Sequence, residues 1–477
     1  MKLWKIGLEI FLWGFIASCR MGPDYERPTI FDNNELERVL GLKTPDVVAL
    51  PFKPEDFHDK ELDALISEAK ENAPDIRTAL ARVEAGRAMR LGTVATLFPT
   101  VDATEQHTDQ KLSKNMGLMP DENNYQAGIS IAWELDLFGK KRREIEAASA
   151  EEEQMKAALE NVMVSVVAEI GMNYVSLRTA QYLLEQTKED VKIQKELARL
   201  THDKYKSGLS SAIDVNQADY QLATTKANVP KLETEIETYK NALAVLVGKP
   251  AGGLHDRLGV KKHNLIAKPF SFKMDKLWHL PVDVVRYRPD VMGVEAALKA
   301  QNARVGQAVA SLFPTVSLSA LFGFESIHFD NWFEENSHAH SYRSSITAPI
   351  FHFGALWQNM KAEEANMKES MVQYEQALLN ATQEIRNILV GLEKMEQRHK
   401  DLELSWQKMD KAARLARNRY ESGLIDYFQV LDAEERRISA QAALTTSSGA
   451  LYHNILNFYK AVGGQFTFNR LAEKTKD

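Results

Sequence analysis

The 477-residue chain predicts a mainly α-helical protein made of two copies of one unit, each copy carrying a short β part suited to a membrane. Three observations carry that prediction. The first is repetition: LFPTV stands at Leu97 to Val101 and again at Leu312 to Val316, 215 residues later. Four further pairs keep the same spacing, namely Pro74-Asp75 with Pro289-Asp290, Phe138-Gly139 with Phe353-Gly354, Tyr205-x-Ser207-Gly208-Leu209 with Tyr420-x-Ser422-Gly423-Leu424, and Val247-Gly248 with Val462-Gly463. Five anchors with no net insertion indicate a tandem duplication, and two long copies are too few for a solenoid.

The second observation is helix length. From Lys140 to Lys206 there is no proline, and Met155, Leu159, Val162, Val166, Ile170 and Leu177 recur at helical spacing. The equivalent stretch runs from Ala355 to Glu421. A helix of this size reaches ~90 to 100 Å at 1.5 Å per residue, far beyond the globular average. Each is followed by Gly-Leu and a second helix, Ile213 to Val247 or Tyr427 to Val462. Pairs this long cannot bury themselves in one compact core, so they pack laterally against neighbours. Pro230 lies inside the first of the shorter helices and has Thr445 as its equivalent, so a kink is expected in one half only.

The third observation is alternation. In YQAGISIAWELDL, Tyr125, Ala127, Ile129, Ile131, Trp133, Leu135 and Leu137 share one face, and Gln126, Gly128, Ser130, Ala132, Glu134 and Asp136 share the other. Val316, Leu318, Ala320, Phe322 and Phe324 alternate in the same way, and Ile346, Ala348 and Ile350 give a shorter example. The first strand of the first half, from Val101 to about Gln106, has the weakest pattern. Polar loops at residues 108–123 and 325–341 join the two strands of each half. Such a strand fits a tilted membrane strand with interfacial aromatics, and it fits equally a soluble sheet with one buried face. Four strands are too few to close a barrel, so membrane strands here require several chains to share one.

Ahead of each hairpin the spacing is helical. Leu62, Leu65, Ile66 and Ala69, then Ile76, Leu80, Val83 and Ala88, predict one helix from Phe57 to about Leu97, where Pro99 interrupts it. Residues 20–55 are rich in Pro, Asp and Glu and read as an extended arm with no core of its own. Net charge of −7 leaves no basic footprint for nucleic acid. One cysteine excludes disulfide frameworks and cysteine metal clusters. That cysteine follows Lys2, Lys5, a mostly apolar run broken by Glu9, and then Ala17-Ser18, which resembles a bacterial lipobox in which Cys19 becomes the lipidated N-terminus.

IASC followed by MGPDYERP, APDIRTALARVEAGRA leading into LFPTV, WELDLFGKKRRE, YKSGLSSAIDV, YESGLIDYFQVLDAEERR and LNFYKAVGG together resemble the TolC-like outer-membrane factors, in particular their lipoprotein subfamily of efflux channels. The resemblance implies a homotrimer in which four strands per chain form a twelve-stranded outer-membrane barrel, continued by a long periplasmic α-helical barrel. It implies the order 1–18 signal peptide, 19–56 lipidated arm, 57–250 first repeat, 251–277 linker, 278–465 second repeat and 466–477 tail. It further implies a passive exit duct that docks with a periplasmic adaptor and an inner-membrane transporter, moves small molecules such as drugs or metal ions, and catalyses no reaction. Related expectations are a protein-secretion duct of the same fold, or a lipidated periplasmic scaffold that conducts nothing.

By the same resemblance, Gly208, Leu209 and Ser210 with Ser422, Gly423 and Leu424 form the adaptor-docking tip; each glycine also serves as a helix cap. Asp432 occupies the position of a gate aspartate, Phe428 that of an apolar constriction, and Arg419 and Tyr420 those of residues linking helices when the gate is closed. Apart from the resemblance, Asp432 fits an exposed charge paired with Arg436 four residues on, and Phe428 fits helix packing. Gln429 stands where some members carry a second acidic residue. Lys140 to Arg143 follow the membrane strand and suit either a solvated first turn or contact with acidic lipid headgroups. No G-x-x-x-x-G-K-[ST], H-E-x-x-H or G-x-S-x-G motif occurs. His338-Ala339-His340 could place two imidazoles on one face of a strand as metal ligands but falls in an expected outer loop, and Met116 and Met119, which could suggest soft-metal export, fall in another, where methionine is usually adaptable filler.

Overall fold

The computed structural model describes residues 20–41, 50, 52–111, 122–260, 265–267, 278 and 280–474. Cys19, the expected signal peptide, Met116, Met119 and much of the 251–277 linker lie outside the described residues. The helices are α1 (Asn33–Leu40), α2 (Lys60–Asn72), α3 (Pro74–Ala95), α4 (Lys140–Lys206), α5 (Ala212–Leu246), α6 (Pro289–Ala310), α7 (Ala355–Glu421), α8 (Tyr427–Ala461) and α9 (Gly464–Lys474). The strands are β1 (Thr100–Gln110), β2 (Glu122–Leu135), β3 (Thr315–Ser326) and β4 (His338–Thr347). The pairs α3/α6, α4/α7 and α5/α8 start and stop 215 residues apart, so the duplication extends to helix boundaries. Both long helices have 67 residues. Among the described residues no helix is long and apolar enough to cross a membrane.

In several places the structure departs from the sequence reading. The helix expected from Phe57 to Leu97 is two helices: Ala73 is extended, with ψ 127°, because it precedes Pro74. Asp59 caps α2 by accepting from the Glu61 N–H at 3.0 Å. The arm is not extended throughout, since α1 forms within it and buries Leu36 and Leu40. β1 runs four residues beyond its expected end at Gln106. His338, Ala339 and His340, expected in a loop, open β4. Pro230 sits inside an unbroken α5.

The chain divides into two compact units, each drawing on both halves of the sequence: residues 1–28, 82–156 and 293–375 form one, and residues 29–81, 157–292 and 376–477 the other. The first holds the sheet, antiparallel throughout and ordered β1-β2-β3-β4. Its central pairing joins the two repeats, with Ile129 opposite Phe322 and Trp133 opposite Leu318. In the same unit the residues after Cys19 are pinned by charge. Arg143 is fully buried and donates to the Met21 and Gly22 carbonyls at 3.1 and 3.0 Å and to Asp24 and Glu146 at 2.9 and 2.7 Å. Arg27 grips Glu295 of α6 through two hydrogen bonds of 2.8 and 2.7 Å, and the Tyr25 hydroxyl adds a third at 3.1 Å.

In the second unit the core of α4 includes Ile170, Tyr174 and Leu177, and that of α8 includes Leu451, Ile455, Leu456 and Phe458. Tyr174 links two elements by donating to Asp59 at 2.6 Å while Arg178 donates to its oxygen at 2.9 Å.

Candidate functional site

Two regions stand out: the sheet of the first unit and the helix ends of the second.

Residues directly opposite each other in the sheet share a face. One face therefore collects Val101, Ile129, Ile131, Trp133, Leu318, Ala320, Phe322, Tyr342 and Ile346, and the other Asp102, Ser130, Glu134, Ser317, Ser319, Arg343 and Ser345. The apolar face has no core above it: Val101 is 63% exposed, Ile129 50% and Ile346 73%. A soluble sheet would bury that face, so the soluble alternative that alternation left open does not hold within this chain. Aromatic rings gather at both ends. Tyr125, Phe329, Trp332 and Phe333 touch one another at the end distant from the helices, with centroids 4.7–6.0 Å apart. Phe138 stacks on Phe313 at 5.0 Å and Phe351 meets Phe353 at 4.6 Å beside the helix junctions. There the Trp133 indole N–H donates to the Leu97 carbonyl at 2.8 Å.

Three residues of the basic run after β2 make contacts within the chain, and Arg143 is fully buried. Arg142 donates to Asp136 at 2.9 Å, and the Lys141 and Arg142 N–H groups bond the same carboxylate, which caps the start of α4. Arg143 belongs to the arm contacts described above, and Lys141 lies 3.8 Å from Glu134.

The α4–α5 and α7–α8 turns have one geometry. Gly208 has φ +75° and Gly423 φ +72°, and their N–H groups reach the Tyr205 and Tyr420 carbonyls at 2.9 and 3.0 Å. Leu209 and Leu424 close the outer bonds to Lys204 and Arg419, both at 2.8 Å, completing a Schellman motif at each turn. A Cβ on either glycine would meet nothing within 4 Å, so conformation alone requires glycine there. Leu209 and Leu424 project into solvent, 77% and 73% exposed. Ser210 donates to Asp214 at 2.8 Å, and Ser422 donates to the Asn418 carbonyl at 2.9 Å.

The structure brings the two turns to one end of four helices. Tyr420 and Tyr427 pack with Leu197, Ala198, Ala218 and Val430, and their rings meet at 5.7 Å. Tyr420 shares a hydrogen bond of 3.1 Å with Thr201, and Lys204 lies 3.8 Å over its ring while donating to its carbonyl. Burial pushes the Tyr427 phenol above its usual range. Arg419 is exposed and does not join this core. Phe428 and Asp432, one turn apart on α8, point away from it: Phe428 is 65% exposed, and Asp432 is held by Arg436 at 2.9 Å. Helix packing within the chain thus does not account for Phe428, whereas the Asp432–Arg436 pair is as the i,i+4 spacing predicts.

Sequence reasoning missed a buried ionic cluster on three helices. Arg437 binds Asp190 of α4, Glu434 at 2.9 Å and Gln441 at 2.8 Å, while Arg417 of α7 approaches Glu434 at 3.0 Å. Burial raises the Asp190 carboxyl above the usual range although Arg437 draws it down. Only the Glu434–Arg437 spacing was visible in the sequence.

A family profile described as Outer membrane efflux protein matches residues 65–249 and 280–464. The solvent efflux pump outer membrane protein SrpC of Pseudomonas putida is 28% identical over 97% of this chain and 99% of its own length. "Probable outer membrane lipoprotein SilC" of Salmonella typhimurium is 26% identical over 97% and 98%. Among solved structures, the outer-membrane channel OprN superposes with a TM-score of 0.84 at 30% identity, covering 94% of this chain and all of that one. The open state of the Neisseria gonorrhoeae MtrE outer membrane channel superposes with a TM-score of 0.79 at 26% identity, over 94% and 99%. A duplicated helical chain with one four-stranded sheet, matched in both halves by one profile, belongs to the outer membrane efflux protein family.

Proposed function

We propose that three copies of this chain close a twelve-stranded barrel in the outer membrane and form the passive exit duct of an efflux pump. The observation that carries the reading is the sheet: four strands of 10–14 residues, one apolar face exposed, and both edges unpaired among the described residues. Strands of this length span a bilayer when tilted, the aromatic rings suit its two interfaces, and hydrocarbon tolerates no open edge. Three copies supply enough strands to enclose a channel, with Ser, Thr and charged side chains facing inward.

The helix ends then supply the gate and the docking surface. Around a threefold axis, Phe428 and Asp432 repeat as an apolar and an acidic ring, and one substitution acts three times. The Tyr420–Thr201 bond and the Lys204 contact hold α7 against α4 in the closed arrangement. The exposed Leu209 and Leu424 turns receive a periplasmic adaptor, which connects the duct to an inner-membrane transporter. The transporter supplies the energy, so the duct has no catalytic site and needs no cofactor. Cys19 carries covalent lipid as its anchor. Relatives are named for solvents, antibiotics and cations, and small molecules of these kinds are the cargo.

Planar-bilayer conductance tests the reading. Wild-type protein should pass small currents, and Phe428→Ala with Asp432→Ala should raise them severalfold. Silence from both, in preparations that sediment as folded membrane trimers, rejects the duct.

A further inference from the structure

The exposed apolar face of the sheet is interrupted in a regular way. One row reads Glu105, Ala127, Phe324, His338 across the four strands, and the next reads Ala103, Ile129, Phe322, His340. His107 stands opposite Tyr125, and Asp109, two residues on, keeps the same face. The central strands β2 and β3 present no charged or imidazole group on this face, whereas β1 presents Glu105, His107 and Asp109 and β4 presents His338 and His340. Height in the membrane does not explain Glu105, His338 or His340, because Phe324 and Phe322 share their rows, whereas Asp109 stands further along β1 opposite Asn123. Position at a sheet edge does explain them. Asp109, His338 and His340 are exposed, and among the described residues none has a side-chain hydrogen bond or ion pair, although the His338 ring lies 4.5 Å from that of Phe324 and the His340 ring 5.8 Å from that of Tyr342.

In the trimeric barrel proposed above, on which this inference rests, β4 of one copy runs antiparallel to β1 of the next. Parity limits the register: even-numbered residues of β4 and odd-numbered residues of β1 carry the apolar face, so these must oppose each other. The register that places all ten residues of β4 against Thr100–Gln110 with this parity sets His338 opposite Asp109. A slide by two residues one way sets His340 opposite Asp109. A slide the other way runs β4 onto Pro99, which has no N–H to give. In both permitted registers Asp109 faces one histidine directly and the other diagonally, distances at which cross-strand pairs interact.

We propose that Asp109 of each copy pairs with His338 and His340 of its neighbour, forming a carboxylate–imidazole seam at each protomer boundary, at the end of the barrel away from the helices. The seam gives the edge strands a complementary partner in a second copy of this chain and satisfies polar groups on a face that otherwise meets lipid. It also fixes the register in which the barrel closes.

Disulfide trapping in the full-length protein tests it, with Cys19 retained in every variant. Asp109→Cys is combined in turn with His338→Cys, His340→Cys and Ile346→Cys, and oxidised membranes are run in denaturant without reductant. Directly opposed positions lie within disulfide reach, whereas Ile346 is displaced by ~20 Å from His340 at the strand rise. Covalent products of up to three chains are expected from at least one histidine pair and not from the Ile346 pair. Cross-linking through Ile346 instead, or native trimers that cross-link at neither histidine, overturns the seam and leaves the trimer standing. Wild-type protein that sediments as single chains overturns the trimer itself. A second measurement needs no cysteine: Asp109→Asn should lower the temperature at which trimers dissociate in detergent, and Asp102→Asn, on the other face of β1, should not. Equal temperatures for the two overturn the seam.

Discussion

Gly128 and Gly323 oppose each other at the centre of the sheet, and a Cβ on Gly323 would fall 2.0 Å from the Ala127 carbonyl oxygen. The two backbones approach closely because neither residue has a side chain. Gly323→Ala is therefore expected to destabilise the sheet by ~1–3 kcal/mol, the usual range for overpacking, seen as a lower dissociation temperature of the assembled protein. In the second unit, Arg437→Met strands the buried Asp190, while Glu434 keeps Arg417 at 3.0 Å, and should cost ~3–5 kcal/mol in urea unfolding. Adding Asp190→Leu should recover most of that loss, because the cost lies in the uncompensated carboxylate. His453 offers a test with pH. It lies half-buried beside Ser176 at 2.9 Å, and burial holds its pKa below 6.5. The unfolded chain then takes up the proton first as pH falls, so stability is unaffected above 6.5 and declines below it toward the folded value. Unfolding midpoints of His453→Gln should show less of this acid decline than wild type.

Among elements, the long helices were the most legible because their signal is redundant: dozens of residues without proline, and a second copy to confirm each end. The sheet was legible where alternation was strong, in β2 and β3. β1 was read too short because Glu105, His107 and Asp109 break the apolar alternation. The α2–α3 break was signalled by Pro74, but continuous apolar spacing on either side concealed it. At the tip, glycine positions were readable from turn chemistry, whereas Thr201 and Lys204 were not, since their partner Tyr420 lies more than 200 residues away in sequence. Arg143 read as one of four basic residues suited to a solvated first turn or to acidic lipid headgroups, and only the docked arm distinguishes it. Arg143→Ala should loosen that arm, so limited trypsin digestion should cut after Arg20, beside the Met21 carbonyl that Arg143 holds, at least several times faster than in wild type.

For the whole molecule, duplication and compactness do not coincide. Each compact unit takes segments from both repeats, because β2 of one repeat pairs with β3 of the other and the helices around the tip come from both. Neither repeat holds a complete sheet or a complete tip core. A chain truncated after the first repeat is expected to lack cooperative thermal unfolding, a result that calorimetry would show directly. The same interleaving sets the order in which the chain can mature. Residues 21–27 are synthesised long before their partners, which include Arg143 and also Glu295, 270 positions beyond Tyr25 and 268 beyond Arg27. Contacts at such separation form late. The segment that follows Cys19 must wait unattached until α6 exists, so its docking reports that both halves are present. A truncated product would leave that segment loose and open to proteases, which gives the cell a simple means of sorting unfinished chains from complete ones.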